Sequence, residues 1–304
     1  KTIVDEHHDK KNIVSSMYQG QLIDYIEVLD GSHFQSSKPD FQDIQLVVRE
    51  KNSLKEAIQA YIKPETLDKE NQWFCEALNK KVDAHKGLGF MKLPYFFTFQ
   101  LNRFDYDYQT WARIKLGNFV SFPFDDLDMK PYLHKDAKVE DGAEFKYELF
   151  SAMIHAGSAS SGHYWAFIKD FSTGKWHKFN DSIVSEEGED EVKKMFGDKD
   201  AETSASSYNE YSHSTNAYLL IYRLKDKKRN ISTVDSNMIP KAMRDAILEE
   251  NVTVEATRKE YHDKLDAMKI RVHYGEYLGV ISVRKSHTIA EATKVIMKEF
   301  KVEE

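Results

Sequence analysis

Residues 155–168 read HAGSASSGHYWAFI, and residues 174–182 read GKWHKFNDS. A loop of small residues, Gly157 to Gly162, delivers His163 to the start of an apolar run. A turn at Gly174 then returns the chain through a second run that ends at Asn180 and Asp181. Apolar runs of this length, bounded by Gly and Ser clusters, are strands. Two adjacent antiparallel strands with this spacing set Asn180 beside His163.

The same strand character extends to both sides. Upstream, FMKLPYFFTFQLNRF (90–104), IKLGNFVSFPF (114–124) and YELFSAMIHAG (147–157) read as strands, and downstream AYLLIYRL (217–224) closes the series. Strand candidates separated by polar or glycine-containing turns imply a sheet-based core. Nearer the start, MYQGQLIDYIEVL (17–29) and FQDIQLVV (41–48) flank a turn-rich segment and predict a hairpin. Ser53 precedes LKEAIQAYI, whose apolar residues repeat at helical spacing, and Glu56 follows three residues later as in a capping box. Helices beside sheets give an α+β class.

After Arg223 the character changes. KDKKRNIS is a charged connector, and residues 240–268 form a charged helical run with Pro240 near its first turn. Residues 269–300 then read as strand, short turn, strand and a helix capped by Ser286 or Thr288. A ββα unit this small cannot bury a core by itself.

The chain has 304 residues, 41% hydrophobic and 12% aromatic, enough for one large or two modest packed domains. No apolar window reaches the ~18 to 20 residues of a membrane helix, and the first residues hold no apolar signal core. The net charge of -7 disfavours nucleic acid as a partner and suits a basic one. The acidic run Glu186 to Glu191 reads as a solvated loop. Cys75 is the single cysteine, which fits a reducing compartment, and the expected location is cytoplasmic or nuclear. His7 and His8 near the polar start read as exposed.

An imidazole needs a partner on its second nitrogen to fix its tautomer, and an Asn or Asp oxygen at a strand end supplies one. On residue types alone, His163 with Asn180 is either half of a thiol-protease triad or two polar groups that satisfy each other across strands.

The runs LPYFFTFQLNRFDYD (93–107), GSASSGHYWAFIKD (157–170) and GKWHKFNDSIVS (174–185), closed by STNAYLLIYRL (214–224), resemble in order the histidine box of the ubiquitin-specific proteases. The resemblance covers residues 17–225. It implies a papain-like α+β fold with fingers at 1–90, a palm with the histidine box at 91–225, a linking helix at 226–268 and the start of a ubiquitin-like unit at 269–304. The implied activity is hydrolysis of isopeptide or peptide bonds after the terminal glycine of ubiquitin, and the implied partners are ubiquitin and ubiquitinated proteins.

Carried over by position, His163 is the general base, Asn180 orients it, and Asp181 assists. Phe104, Asp105, Tyr106, Asp107, His155, Gly162 and Tyr164 match the channel for ubiquitin's C-terminal tail. Two segments, 158–161 and 107–115, match loops that flank that channel, the first expected to be flexible.

The family's Asn-x-Cys-Tyr nucleophile box is absent from these residues, so the nucleophile is expected outside this chain, which would begin after it and stop inside the ubiquitin-like unit. Cys75 falls in the fingers. Where relatives place two Cys-x-x-Cys zinc pairs, this sequence has Glu27 to Asp30 and Cys75 to Leu78, so no zinc or other cofactor is expected. A non-catalytic ubiquitin-binding module is the alternative, and a scaffold acting through the C-terminal helix and ββα unit is a third.

Overall fold

The computed structural model describes residues 13–108, 111–140, 142–199, 214–226, 229–230, 239–274 and 277–300. His7 and His8 lie outside them. The chain divides into two compact units, 1–233 and 234–304.

The described part of the first unit opens with a short helix, Ile13–Tyr18, followed by β1 (Gly20–Val28), β2 (Phe34–Ser37), β3 (Asp40–Phe41) and β4 (Asp43–Val47). After the helix Leu54–Ile62 come β5 (Glu65–Leu67), the small hairpin of β6 (Trp73–Cys75) and β7 (Lys80–Val82), then β8 (Ala84–Lys92) and β9 (Phe96–Asn102). Next are the hairpin of β10 (Phe104–Asp107) and β11 (Ala112–Lys115), then β12 (Leu127–Asp128). The series ends with β13 (Lys146–Gly157), β14 (Gly162–Lys169), β15 (Trp176–Asn180), β16 (Ile183–Glu187) and β17 (Ser214–Leu224).

Two sheets carry this unit. The finger sheet runs β2-β1-β8-β5, with β3 against the start of β1. The palm sheet runs β16-β15-β14-β13-β17-β9-β4, with β12 against β13.

The hairpin expected between residues 17–29 and 41–48 does not form. β1 pairs with Phe34–Ser37 inside the supposed turn, while β4 joins β9 in parallel in the palm sheet. The reason is burial: Ile44 and Leu46 alternate inward along β4 and become core under β9.

Two other strand readings also change. Residues 90–104 are interrupted at Leu93–Pro94–Tyr95, because proline offers no N–H to a ladder. The stretch 114–124 is strand only to Lys115. Beyond that, Leu116, Val120 and Phe122 are buried in irregular backbone. Its carbonyls are met by Arg103, whose buried guanidinium donates to Leu116, Asn118, Ala217 and Phe196 oxygens at 2.7–3.3 Å. A buried charge satisfied by four carbonyl oxygens organises chain that has no ladder.

The capping signals behave as their chemistry requires. Ser53 Oγ accepts from Glu56 N–H at 3.2 Å, and Glu56 Oε2 accepts from Asn52 N–H at 2.9 Å. The helix turns Leu54, Ala57 and Ile58 into the core that also holds Phe90, Phe97, Phe99, Leu101 and Tyr222. Each Leu, Ile or Phe among them contributes about 1.5–3 kcal/mol on burial.

In the fingers, Cys75 is fully buried with Val28 and Val82, and Trp73 and Leu78 pack around them. The stretches Glu27 to Asp30 and Cys75 to Leu78 therefore meet in an apolar cluster. The acidic run is ordered rather than a loop: Glu186 and Glu187 end β16, and a short helix, Glu189–Lys193, follows with three carboxylates in its first turn.

The second unit holds the helix Lys241–Asp266, none of whose residues is buried, and a hairpin of β18 (Ala267–Tyr274) and β19 (Tyr277–Arg284). Ile281 and Val283 are buried. The helix Ile289–Phe300 is capped by Thr288, not Ser286: Glu291 N–H donates to Thr288 Oγ1 and Thr288 N–H to Glu291 Oε2, while Ser286 bonds Asp266.

Candidate active site

Strand register brings the histidine and asparagine together. Ala166 stands opposite Phe179, so continuing the ladder sets Asn180 across from Trp165. His163 lies two residues earlier, on the same face as Trp165. The diagonal neighbours meet: His163 Nε2 is 2.5 Å from Asn180 Oδ1. An amide oxygen only accepts, so Nε2 carries the hydrogen and Nδ1 keeps its lone pair. Trp165 lies beside the imidazole at 6.0 Å, and Lys178 covers the indole at 5.0 Å.

Asp181 adds a carboxylate oxygen 4.0 Å from the same Nε2. It sits in the two-residue turn joining β15 to β16, at φ +51, a left-handed conformation that Asp tolerates better than most residues. Its side chain is 81% exposed, so solvent screens its pull on the imidazole.

The segment before His163 is a hydrogen-bonded turn. Ser158 Oγ accepts from Ser160 and Ser161 N–H at 3.2 and 3.3 Å, and Ser158 N–H donates to Ser161 O at 2.9 Å. Gly157 is at φ +139, where a Cβ would stand 2.3 Å from Ser161 O. Gly162 has no room for a side chain either, because His155 fills that space.

His155 is 3% exposed, its Nδ1 has no hydrogen-bond partner, and its ring packs 4.5 Å from Tyr164 and 5.3 Å from Phe104. Burial and the nearby Lys115 ammonium push its pKa down to about 4, so it stays neutral at physiological pH.

Two clefts border this turn. One, of about 400 Å³, is lined by His163, Gly162, Ser161, Ala156, Gly157, Ser214 and Thr215. The other, of about 420 Å³, is lined by Phe104, Asp105, Tyr106, Arg113, Ala159 and Tyr164. Four of the channel residues expected from sequence thus share one cleft, His155 packs behind two of them, and Gly162 lines the cleft of His163. Asp107 is in β10, paired with Ala112.

Asp105 is already engaged. Arg49 reaches its Oδ2 through Nε at 2.9 Å and Nη2 at 2.8 Å, and Oδ1 accepts the Tyr106 N–H. Arg113 lines the same cleft, exposed, across the ladder from Tyr106. The walls are aromatic, and the Asp105 carboxylate among them is paired with Arg49 rather than open.

Sequence reading missed Tyr218, Arg49 and Lys115. Tyr218 completes the aromatic wall at 5.6 Å from Phe104 and 6.1 Å from Tyr164. Lys115 is buried beside the cleft. The one available signal was the pattern of RIKL (113–116), in which Lys115 stands between Ile114 and Leu116.

The family profile described as ubiquitin carboxyl-terminal hydrolase matches residues 3–222. The chain is similar to ubiquitin carboxyl-terminal hydrolase 47 of Xenopus laevis, at 35% identity over 76% of this chain and 21% of that protein. The Homo sapiens protein of the same name is 32% identical over 97% of this chain and 26% of its own length. Ubiquitin carboxyl-terminal hydrolase 15 of Schizosaccharomyces pombe is 30% identical over 86% and 23%. The chain spans about a fifth to a quarter of the length of these relatives.

Proposed function

The chain belongs to the ubiquitin carboxyl-terminal hydrolase family, the ubiquitin-specific proteases, and from that premise we propose that it supplies the fingers and the general-base half of a deubiquitinating cysteine protease whose nucleophilic thiol lies outside these residues. The observation that carries the proposal is the His163–Asn180 hydrogen bond, with His163 lining one of the two clefts that border the 157–162 turn and Phe104, Tyr106 and Tyr164 walling the other.

With Nε2–H committed to Asn180, Nδ1 is the nitrogen that takes the thiol proton. The thiolate attacks the carbonyl carbon of ubiquitin's terminal glycine, and the carbonyl electrons move onto oxygen. On collapse of that intermediate, His163 returns the proton to the leaving amine and a thioester remains. Water, deprotonated by the same nitrogen, then releases the carboxylate and the thiol. Asp181 reinforces the orientation. The aromatic walls hold the tail, which carries arginines and ends in two glycines, extended, while Arg113 and the Arg49–Asp105 pair set the charge that it meets. A cytoplasmic or nuclear setting is part of the proposal, since the thiol must stay reduced.

The test is reaction of the full-length gene product with ubiquitin bearing a C-terminal electrophile. Covalent labelling that disappears in His163→Ala is the expected result. Ubiquitin binding with no labelling of the native protein would instead establish a non-catalytic binding module.

A further inference from the structure

We propose that Lys115 is a positioning residue for His163: its buried ammonium ties the end of β13 to the start of β17 and so fixes the backbone against which the histidine is held. The inference rests on the general-base reading of His163. Lys115 Nζ donates to His155 O at 2.9 Å, Gly157 O at 3.3 Å and Ser214 O at 2.6 Å. Three donors meet three carbonyls, which uses the full capacity of an ammonium.

The placement is what connects this clamp to the site. His155 and Gly157 flank Ala156, and Ala156 is the ladder partner of His163. Gly157 also pairs with Gly162 on one side and Ser214 on the other. Lys115 thus grips the point where β14 and β17 leave β13, and both Gly157 and Ser214 line the cleft that contains His163. The ring of His155, whose carbonyl Lys115 holds, is the surface on which Gly162 rests.

An ordinary buried lysine would carry a carboxylate partner, and the described residues offer Lys115 none. The charged and titratable groups that act on it are Arg103, at the end of β9, and His155, on β13. A cation held by neutral carbonyls, with a second cation near, is sensitive to pH. Burial and the Arg103 charge push the Lys115 pKa down to about 8, which is consistent with a clamp that weakens in mild alkali. A neutral amine has only two hydrogens, so one of the three carbonyls then loses its donor.

The experiment follows the imidazole nitrogens of His163 by NMR in this 304-residue chain, as Lys115→Met and Lys115→Arg, with thermal melting to establish folding. In the native chain the nitrogens should report one tautomer with hydrogen on Nε2. Lys115→Met should shift them toward a mixture, Lys115→Arg should restore much of the native signal, and labelling of the full-length gene product should fall by about ten- to a hundred-fold in Lys115→Met.

If Lys115→Met does not fold, the native chain titrated from pH 7 to 9.5 provides the readout. The His163 nitrogens should then move together with Lys115 Cε around a midpoint near 8. A folded Lys115→Met chain whose His163 nitrogens match the native ones, or a titration in which they ignore Lys115, overturns the proposal. Failure of the enzyme reading is a separate result, since full-length His163→Ala that labels normally leaves the Lys115 to His163 coupling measurable in the chain.

Discussion

The imidazole of His155 lies against the Cα of Gly162 so closely that a Cβ added there would stand 2.1 Å from His155 Nε2 and 2.5 Å from Ala156 O. Gly162 is therefore a position where contact, not backbone freedom, demands glycine. It joins the aromatic floor of one cleft to the residue that presents His163 in the other.

Gly162→Ala should displace either the His155 ring or the turn at 158–161. The expected outcome is a loss of about 1–3 kcal/mol of stability, typical of overpacking a tight site, and a larger relative loss of labelling by the ubiquitin electrophile. Thermal melting and labelling rates on the same samples measure both. A variant that melts and labels like the native protein would contradict the contact.

Asn180→Ala removes the acceptor that fixes the His163 tautomer while touching little of the core. Labelling should fall at least about ten-fold, whereas stability should change by less than about 0.5 kcal/mol. Asn180→Asp should retain more activity than Asn180→Ala, because a carboxylate oxygen accepts the same bond.

Acid should destabilise the first unit through His155. Its folded pKa of about 4 lies below the ordinary 6.5, so the unfolded chain binds a proton that the fold refuses. Stability from this group is fully present above about pH 6.5 and is lost as pH falls toward 4, on the order of 3 kcal/mol in all. Urea unfolding from pH 7 to 4 should show this limb, and His155→Asn, though less stable at neutrality, should flatten it.

Cys75 should be unreactive in the folded protein. Fully buried with Val28 and Val82, its thiol is closed to iodoacetamide until the fingers open. Intact mass should show no alkylation in native buffer and one adduct in urea. Cys75→Ala should lower stability by about 1–2 kcal/mol and leave the ubiquitin labelling of the full-length protein unchanged. Loss of labelling in that variant would reassign the nucleophile.

Much of the site was legible before any coordinates. The capping pair Ser53–Glu56, the strands β13 to β15 and β17, and the adjacency of His163 and Asn180 all follow from local patterns: period-two apolar runs, turn residues, and a fixed number of residues around a hairpin. What misled was partnership. The segment 41–48 has the right pattern for a hairpin strand, but β4 within it pairs in parallel beside β9, with one face in the core. The stretch 116–124 has strand-forming residues, yet its carbonyls are claimed by Arg103.

The sequence by itself determined the strands around His163 and Asn180, the helix capped by Ser53, and that an imidazole and an amide would face each other at two strand ends. Alternation and turn chemistry act over a few residues and are written in order along the chain. Only the tertiary structure decided that Asp105 is bound by Arg49, 56 residues away, that Tyr218 completes the aromatic wall, and that Lys115 clamps carbonyls up to 99 residues distant. A buried charge takes whatever acceptors the packed core leaves unpaired, and those are set by how the strands assemble rather than by any residue's neighbours in sequence.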